Sequence, residues 1–112
     1  MSDPFFQPVS GFDLPRFAGV PSFMRLPYLP PGHPRLPEVE IGLIGVPWDS
    51  GTTNRPGARH GPRALRDAST MIRAVHPVSR VAPFEMARCA DLGDVGPNPS
   101  VILDSMERIN SL

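Results

Sequence analysis

The stretch IGLIGVPWDSGTTNRPGARHGPRALRDASTMIR, residues 41–73, decides the fold. It sits in a run from Val39 to Val46 in which Ile41, Leu43, Ile44 and Val46 are nearly continuous in apolar character. Such a run suits a strand covered on both faces, as in a parallel sheet. Pro47 ends it, since proline has no N–H to offer a ladder. Residues 47–61 are a loop rich in Gly, Thr, Asn and Arg. Gly61 at the cap and Pro62 at the first helical position then mark a helix start, where a missing N–H costs nothing. Ala64, Leu65, Ala68, Met71, Ile72 and Val75 recur at three- and four-residue spacing, which makes one apolar stripe. Pro77 forbids further extension. Residues 41–73 thus read as a buried strand, a loop and a helix, one βα unit.

Downstream, Met86–Leu92 reads as a second strand that gives way to Asp91–Leu–Gly–Asp94. Asn98 and Pro99 repeat the cap-plus-proline signature, and Ile102, Leu103, Met106 and Ile109 supply a second amphipathic stripe. Two parallel strands with two helices leave sheet edges open and apolar strand surface uncovered. Sheets of this kind usually hold four or more strands. The expectation is therefore the first part of an α/β domain, over residues 38–112.

Upstream, residues 1–37 carry nine of the 16 prolines in this 112-residue chain, Pro4 to Pro37. Each removes a donor and fixes φ, so this third holds little helix or central strand. It is nonetheless too rich in anchors for a flexible linker: Phe5, Phe6, Phe12, Phe17, Phe23, Leu26, Tyr28 and Leu29 lie within it. An extended arm lying across a surface, either of its own domain or of a neighbouring subunit, is expected.

Formal net charge is zero, which gives no global pull toward nucleic acid or an anionic membrane. No apolar run is long enough to cross a bilayer, and no basic-then-apolar leader opens the chain. A single cysteine, Cys89, permits no internal disulfide and fits a reducing compartment, so a cytoplasmic protein is expected. All eleven basic residues are arginine, a bias that suits bidentate pairing with carboxylates and that a GC-rich genome also produces.

The loop from Gly51 to Arg63 is the most informative stretch for chemistry. Loops leaving the carboxyl ends of strands line the ligand crevice of open α/β sheets, and this one enters a helix N-terminus where anions are favoured. Arg55, Arg59, Arg63 and Arg66 add positive charge. The glycine spacing matches neither a Walker loop nor a dinucleotide fingerprint. The arginines are expected instead to pair with acidic residues elsewhere in a larger assembly. His33, His60 and His76 lack metal-ligand spacing, and His76 before Pro77 suits a helix end. Asp91 and Asp94 at a strand end are expected to satisfy loop N–H groups and arginines rather than bind cations. Cys89 reads as a small core residue. Trp48 and Asp49 open the loop where ligand contact is plausible.

The strings Ile44–Gly–Val–Pro–Trp–Asp49–Ser–Gly–Thr52 and Asn54–Arg–Pro–Gly–Ala–Arg59–His–Gly–Pro62–Arg–Ala–Leu–Arg66 resemble the ureohydrolases, the arginase/agmatinase family. Phe23–Met–Arg–Leu–Pro27 looks like the agmatinase and guanidinobutyrase branch. The resemblance implies the N-terminal part of a three-layer α/β/α domain with a parallel sheet, preceded by the arm. It also implies a cytoplasmic enzyme, commonly a trimer or hexamer, that hydrolyses guanidino compounds to urea and an amine. In that family two Mn²⁺ ions (nickel in some members) bridge a hydroxide. Their ligands lie in Gly-Gly-Asp-His, Asp-Ala-His-x-Asp and Asp-x-Asp-x-x-Asp-Pro motifs. None of these occurs here, and all would follow Leu112 in a full-length member. No metal ligand or catalytic group is therefore assigned, and this chain alone is expected to be inactive. Trp48, Asp49, Asn54 and Arg55 are the candidate substrate-rim residues. Two other readings stay open: a non-catalytic accessory protein whose aromatic arm binds a full-length ureohydrolase, and a small anion-binding module built on the arginine loop.

Overall fold

The computed structural model describes residues 3–112. Strand β1, Ile41–Gly45, pairs in parallel with β2, Cys89–Asp94. Between them lie helix α1, Gly61–Ser69, and the short helix α2, Pro83–Met86; helix α3, Ile102–Asn110, follows β2. Ile41 faces Cys89, Gly42 faces Ala90 and Leu43 faces Asp91, then the register slips before Gly45 meets Asp94. The strand–helix–strand–helix order read from the apolar periods is present, with α2 as an addition.

The arm lies on its own domain. Tyr28 bridges to Asp91 in parallel, Leu29 N–H donates to the Asp91 carbonyl at 2.9 Å, and Asp91 N–H donates to the Pro27 carbonyl at 2.9 Å. The arm therefore runs along the outer edge of β2. Its side chains complete the core as well. Phe6 and Leu29 bury against Ala90, while Leu26 buries against Phe84 and Cys89. Proline-rich backbone suits this place, because an edge segment needs few donors.

Ile41 and Ile44, on opposite faces of β1, are each about half exposed, the uncovered apolar strand surface expected of the first part of a larger domain. Two readings of the sequence are corrected. The α1 helix ends at Ser69 instead of running toward Val75. Ser69 and Thr70 hydroxyls donate back to the Arg66 and Asp67 carbonyls, a local alternative to the helix ladder. Arg16 of the arm then takes the Thr70 and Ile72 carbonyls, at 3.0 and 2.9 Å. Asn98 does not cap α3, which starts four residues later. It accepts from Ser100 N–H in a local turn, and its carbonyl accepts the buried Ser105 hydroxyl at 2.7 Å.

The radius of gyration, 15.9 Å, exceeds the roughly 13 Å of a compact domain of this length. The outer edge of β1 has no partner strand among the described residues. That open edge lies on the side of the sheet away from the arm, which runs along β2.

Candidate functional site

A cleft of about 290 Å³ opens at the carboxyl ends of β1 and β2. Trp48, Asp49, Arg59, His60, Arg63 and Asp94 line it, together with prolines after each strand. This is where a parallel sheet with crossover helices gathers its loops.

Asp49 organises the wall that follows β1. Its side chain is fully buried. It accepts Gly57 N–H at 2.6 Å and Arg59 N–H at 3.2 Å, and it pairs with the Arg59 guanidinium at 2.7 Å. Burial pushes its carboxyl up, but the Arg59 and Gly57 N–H groups and the Arg59 guanidinium outweigh that and hold it below the usual carboxylate range. Gly57 sits at φ 147°, open to glycine alone at no strain, so the chain can turn its N–H toward the carboxylate. One carboxylate thus closes the whole Ser50–Ala58 segment onto the start of α1.

Arg66 organises the other wall. Its Nε and Nη2 grip the Asp91 carboxylate at 2.8 and 3.0 Å, its Nη1 reaches Asp94 at 2.7 Å, and its guanidinium lies 4.3 Å over the Phe23 ring. Asp91 also accepts N–H bonds from Phe23 and Gly93. Burial raises the Asp91 carboxyl, yet Arg66 and these N–H groups hold it below its ordinary value. The pairing with Asp91, then Asp94, raises Arg66 above its own ordinary value against the opposing effect of burial. Helix, strand and arm meet at this one side chain. Gly45 is what lets Asp94 approach: a Cβ there would lie 2.8 Å from Pro62 Cβ and collide with the Asp94 carboxylate.

Of the candidate rim residues, Trp48 and Asp49 line the cleft, whereas Asn54 and Arg55 stand exposed in the loop outside it. Asp49 shapes the rim, its carboxylate buried and given over to Gly57 and Arg59. Trp48 keeps a buried indole N–H without a partner among the described residues. The arginines expected to need acids from elsewhere are corrected in part: Arg59 and Arg66 find Asp49, Asp91 and Asp94 inside this chain. Asp91 and Asp94 satisfy arginine and, for Asp91, loop N–H groups. Arg63, in the first turn of α1, and His60, just before it, also line the cleft; the sequence offered Arg63 only as loop charge and His60 only as an isolated histidine. His76 lies in a turn and accepts Ser79 N–H, not at a helix end, because α1 stops early. Cys89 is buried in the core, where burial and Glu40 push its thiol up.

Among the described residues no three His, Cys, Asp or Glu side chains converge as ligands for a metal. The acids nearest the cleft are committed to arginines and N–H groups, so a pair of divalent ions does not fit the groups present in this chain.

The arginase family model matches residues 39–112. A guanidinopropionase of Pseudomonas aeruginosa is 53% identical over 110 residues, which cover 97% of this chain and 33% of the relative. A guanidinobutyrase of the same organism is 39% identical and covers 92% of this chain and 32% of its own length. The solved structure of proclavaminate amidinohydrolase from Streptomyces clavuligerus superimposes with a TM-score of 0.77 at 36% identity, covering 87% of this chain and 32% of that one. The chain spans about a third of the length of the curated relatives it matches.

Proposed function

The chain belongs to the arginase family, and on that premise we propose that it is the N-terminal third of a metal-dependent hydrolase that cleaves a guanidino acid to urea and an amine. The observation that carries the reading is the 53% identity to a guanidinopropionase along almost the whole chain. A guanidinobutyrase among the relatives supports a carboxylate at the substrate's tail. So does Arg63, a cleft residue with no ion pair among the described residues.

In this reading the chain's residues position and enclose. Asp49 and Arg59 hold the rim loop, Arg66 fixes β2 against α1, and Trp48 forms an apolar wall. Two Mn²⁺ ions, or nickel, would supply the hydroxide nucleophile and charge stabilisation from ligands outside this chain. Assembly of several copies and a cytoplasmic location belong to the same proposal.

The test measures urea release by the complete polypeptide with Mn²⁺, using guanidinopropionate, guanidinobutyrate and agmatine. Turnover of a guanidino acid, with none by the 112-residue chain alone, is expected. Preference for agmatine would overturn the substrate class. Urea release by the 112-residue chain would overturn the division of labour.

A further inference from the structure

A second cavity, of about 290 Å³, lies between the arm and the segment that follows α1, and it shares no lining residue with the strand-end cleft. Arg16, Arg25 and Arg73 line it, with Ser10, Phe12 and Ile72 beside them, and no acidic side chain among the described residues does. Guanidiniums gathered around so small a space repel one another unless an anion sits among them. Arg16 is held at the wall by its Nη1, which donates to the Thr70 and Ile72 carbonyls at 3.0 and 2.9 Å. Arg73 is exposed and enters no ion pair among the described residues.

Arg25 is the deciding group. It is 5% exposed, and its Nη1 and Nη2 meet no hydrogen-bond partner among the described residues. Buried polar groups are nearly always paired, and a buried charge costs most when it is not. The backbone around it is engaged throughout. Arg25 N–H donates to the Ser22 carbonyl at 3.2 Å, its carbonyl accepts Val9 N–H at 3.1 Å, and Met24 N–H donates to the Ser69 hydroxyl at 2.8 Å. Met24 and Arg25 keep positive φ, 52° and 57°, a conformation that residues other than glycine hold only where their surroundings demand it. The fold thus fixes this residue firmly and leaves its planar fork unused. Asp67 and Asp13 line two neighbouring openings that Arg25 also borders, yet neither carboxylate bonds to it among the described residues.

We propose that this cavity binds a small tetrahedral oxyanion, inorganic phosphate or the phosphate group of a short ester, with Arg25 as the buried anchor and Arg16 and Arg73 completing the cradle. A side-chain carboxylate brings one charge and two oxygens, whereas a phosphate dianion presents acceptors on several sides to several planar forks. The volume lies at the lower end of the roughly 300–1,000 Å³ of small-molecule clefts, which suits an ion or a short ester. The walls come from two parts of this chain, residues 8–25 of the arm and residues 72–74. Bound there, the anion ties the arm to the segment after α1 and reinforces the hold that Arg16 already has. The site is independent of the guanidino-acid reading and of any assembly of copies.

Isothermal titration calorimetry of the complete protein decides the matter, with inorganic phosphate and separately with glycerol phosphate, at an ionic strength held constant with chloride. Saturable binding of one anion per chain is expected, with a melting temperature that rises as the site fills. Tighter binding of the ester assigns the site to a phosphorylated small molecule, and tighter binding of phosphate assigns it to the free ion. Arg73→Ala, at an exposed position, should weaken binding by about tenfold or more and leave the melting temperature of the anion-free protein unchanged. Arg25→Met should abolish binding without destabilising the anion-free protein, because it removes an unpaired buried charge. Should Arg25→Met fail to fold, Arg73→Ala alone carries the test. Absence of saturable binding overturns the proposal, and anion-free protein destabilised by Arg25→Met then assigns the fork to an acid of the same polypeptide. Binding indifferent to Arg73→Ala places the anion elsewhere and overturns it too. Acetate bound more tightly than phosphate overturns the tetrahedral class.

Discussion

Replacing Arg66 by methionine tests how arm, β2 and α1 are held together. The wild-type guanidinium gives Asp91 two hydrogen bonds, gives Asp94 one, and covers the Phe23 ring at 4.3 Å. Methionine keeps much of the aliphatic volume, so a new cavity is a small part of the change. What remains is a carboxylate at Asp91, 2% exposed, with only the N–H groups of Phe23 and Gly93. Depriving a buried pair of one partner costs about 3–5 kcal/mol. The ring contact adds roughly 0.5–1 kcal/mol. The Asp94 pair is screened by solvent and adds about 1 kcal/mol at most. A total of about 4–6 kcal/mol is a large fraction of the ~5–15 kcal/mol that holds a small domain folded. Urea unfolding followed by Trp48 fluorescence measures it. The double variant Arg66→Met/Asp91→Asn should recover much of the loss, because no buried charge is left unpaired. A single-variant loss under about 1 kcal/mol, or a double variant as costly as the sum of the singles, would refute the account.

Asp49→Ala should free the Ser50–Ala58 loop, seen as rapid proteolytic cleavage within it, because the Gly57 and Arg59 N–H groups lose their shared acceptor. Gly45→Ala should destabilise by about 1–3 kcal/mol, measured by thermal melting, since its Cβ meets Pro62 and Asp94. Asp49 and Asp91 both have depressed carboxyl pKa values, so their stabilisation is complete above the unfolded value near 3.9 and is lost as pH falls through the folded values. Acid titration by circular dichroism should show a fall in stability starting below about pH 5, reduced in Asp91→Asn.

Local pattern carried the βα unit well because its signals are short-range: an apolar run, a proline stop, and a Gly-Pro helix start. The helix end was misread because the apolar period runs on past Ser69 and Thr70, whose hydroxyls turn back to the Arg66 and Asp67 carbonyls, and because Arg16, 54 residues away, takes the Thr70 carbonyl. No apolar period in residues 61–76 reports either. The arginine partners failed for the same reason. Arg66 and Asp91 are 25 residues apart, and only the parallel crossover brings them together. Asp49 and Arg59 were individually visible as loop residues. That one buried carboxylate would close the loop on two N–H groups depended on Gly57 and its positive φ, which glycine content suggests but does not locate. The Asx-type turn at Asn98 imitates a cap in sequence, since both use a short polar side chain to accept a nearby N–H.

The two walls of the cleft are fixed by different means, and that difference bears on function. The β1 wall is a loop folded around Asp49, with Arg59 half in solvent, so its outer reach at Asn54 and Arg55 is tied down by little. The β2 wall is tied to α1 and the arm through Arg66, only 13% exposed, and Gly45 admits Asp94 by presenting no Cβ. A rigid wall facing a loop hinged on one carboxylate can hold a reacting centre while the rim adapts to a substrate's tail. Under the guanidino-acid reading proposed above, the loop after Trp48 has the freedom to adapt to a substrate's tail. The Arg66 cluster, set by packing, has no such freedom.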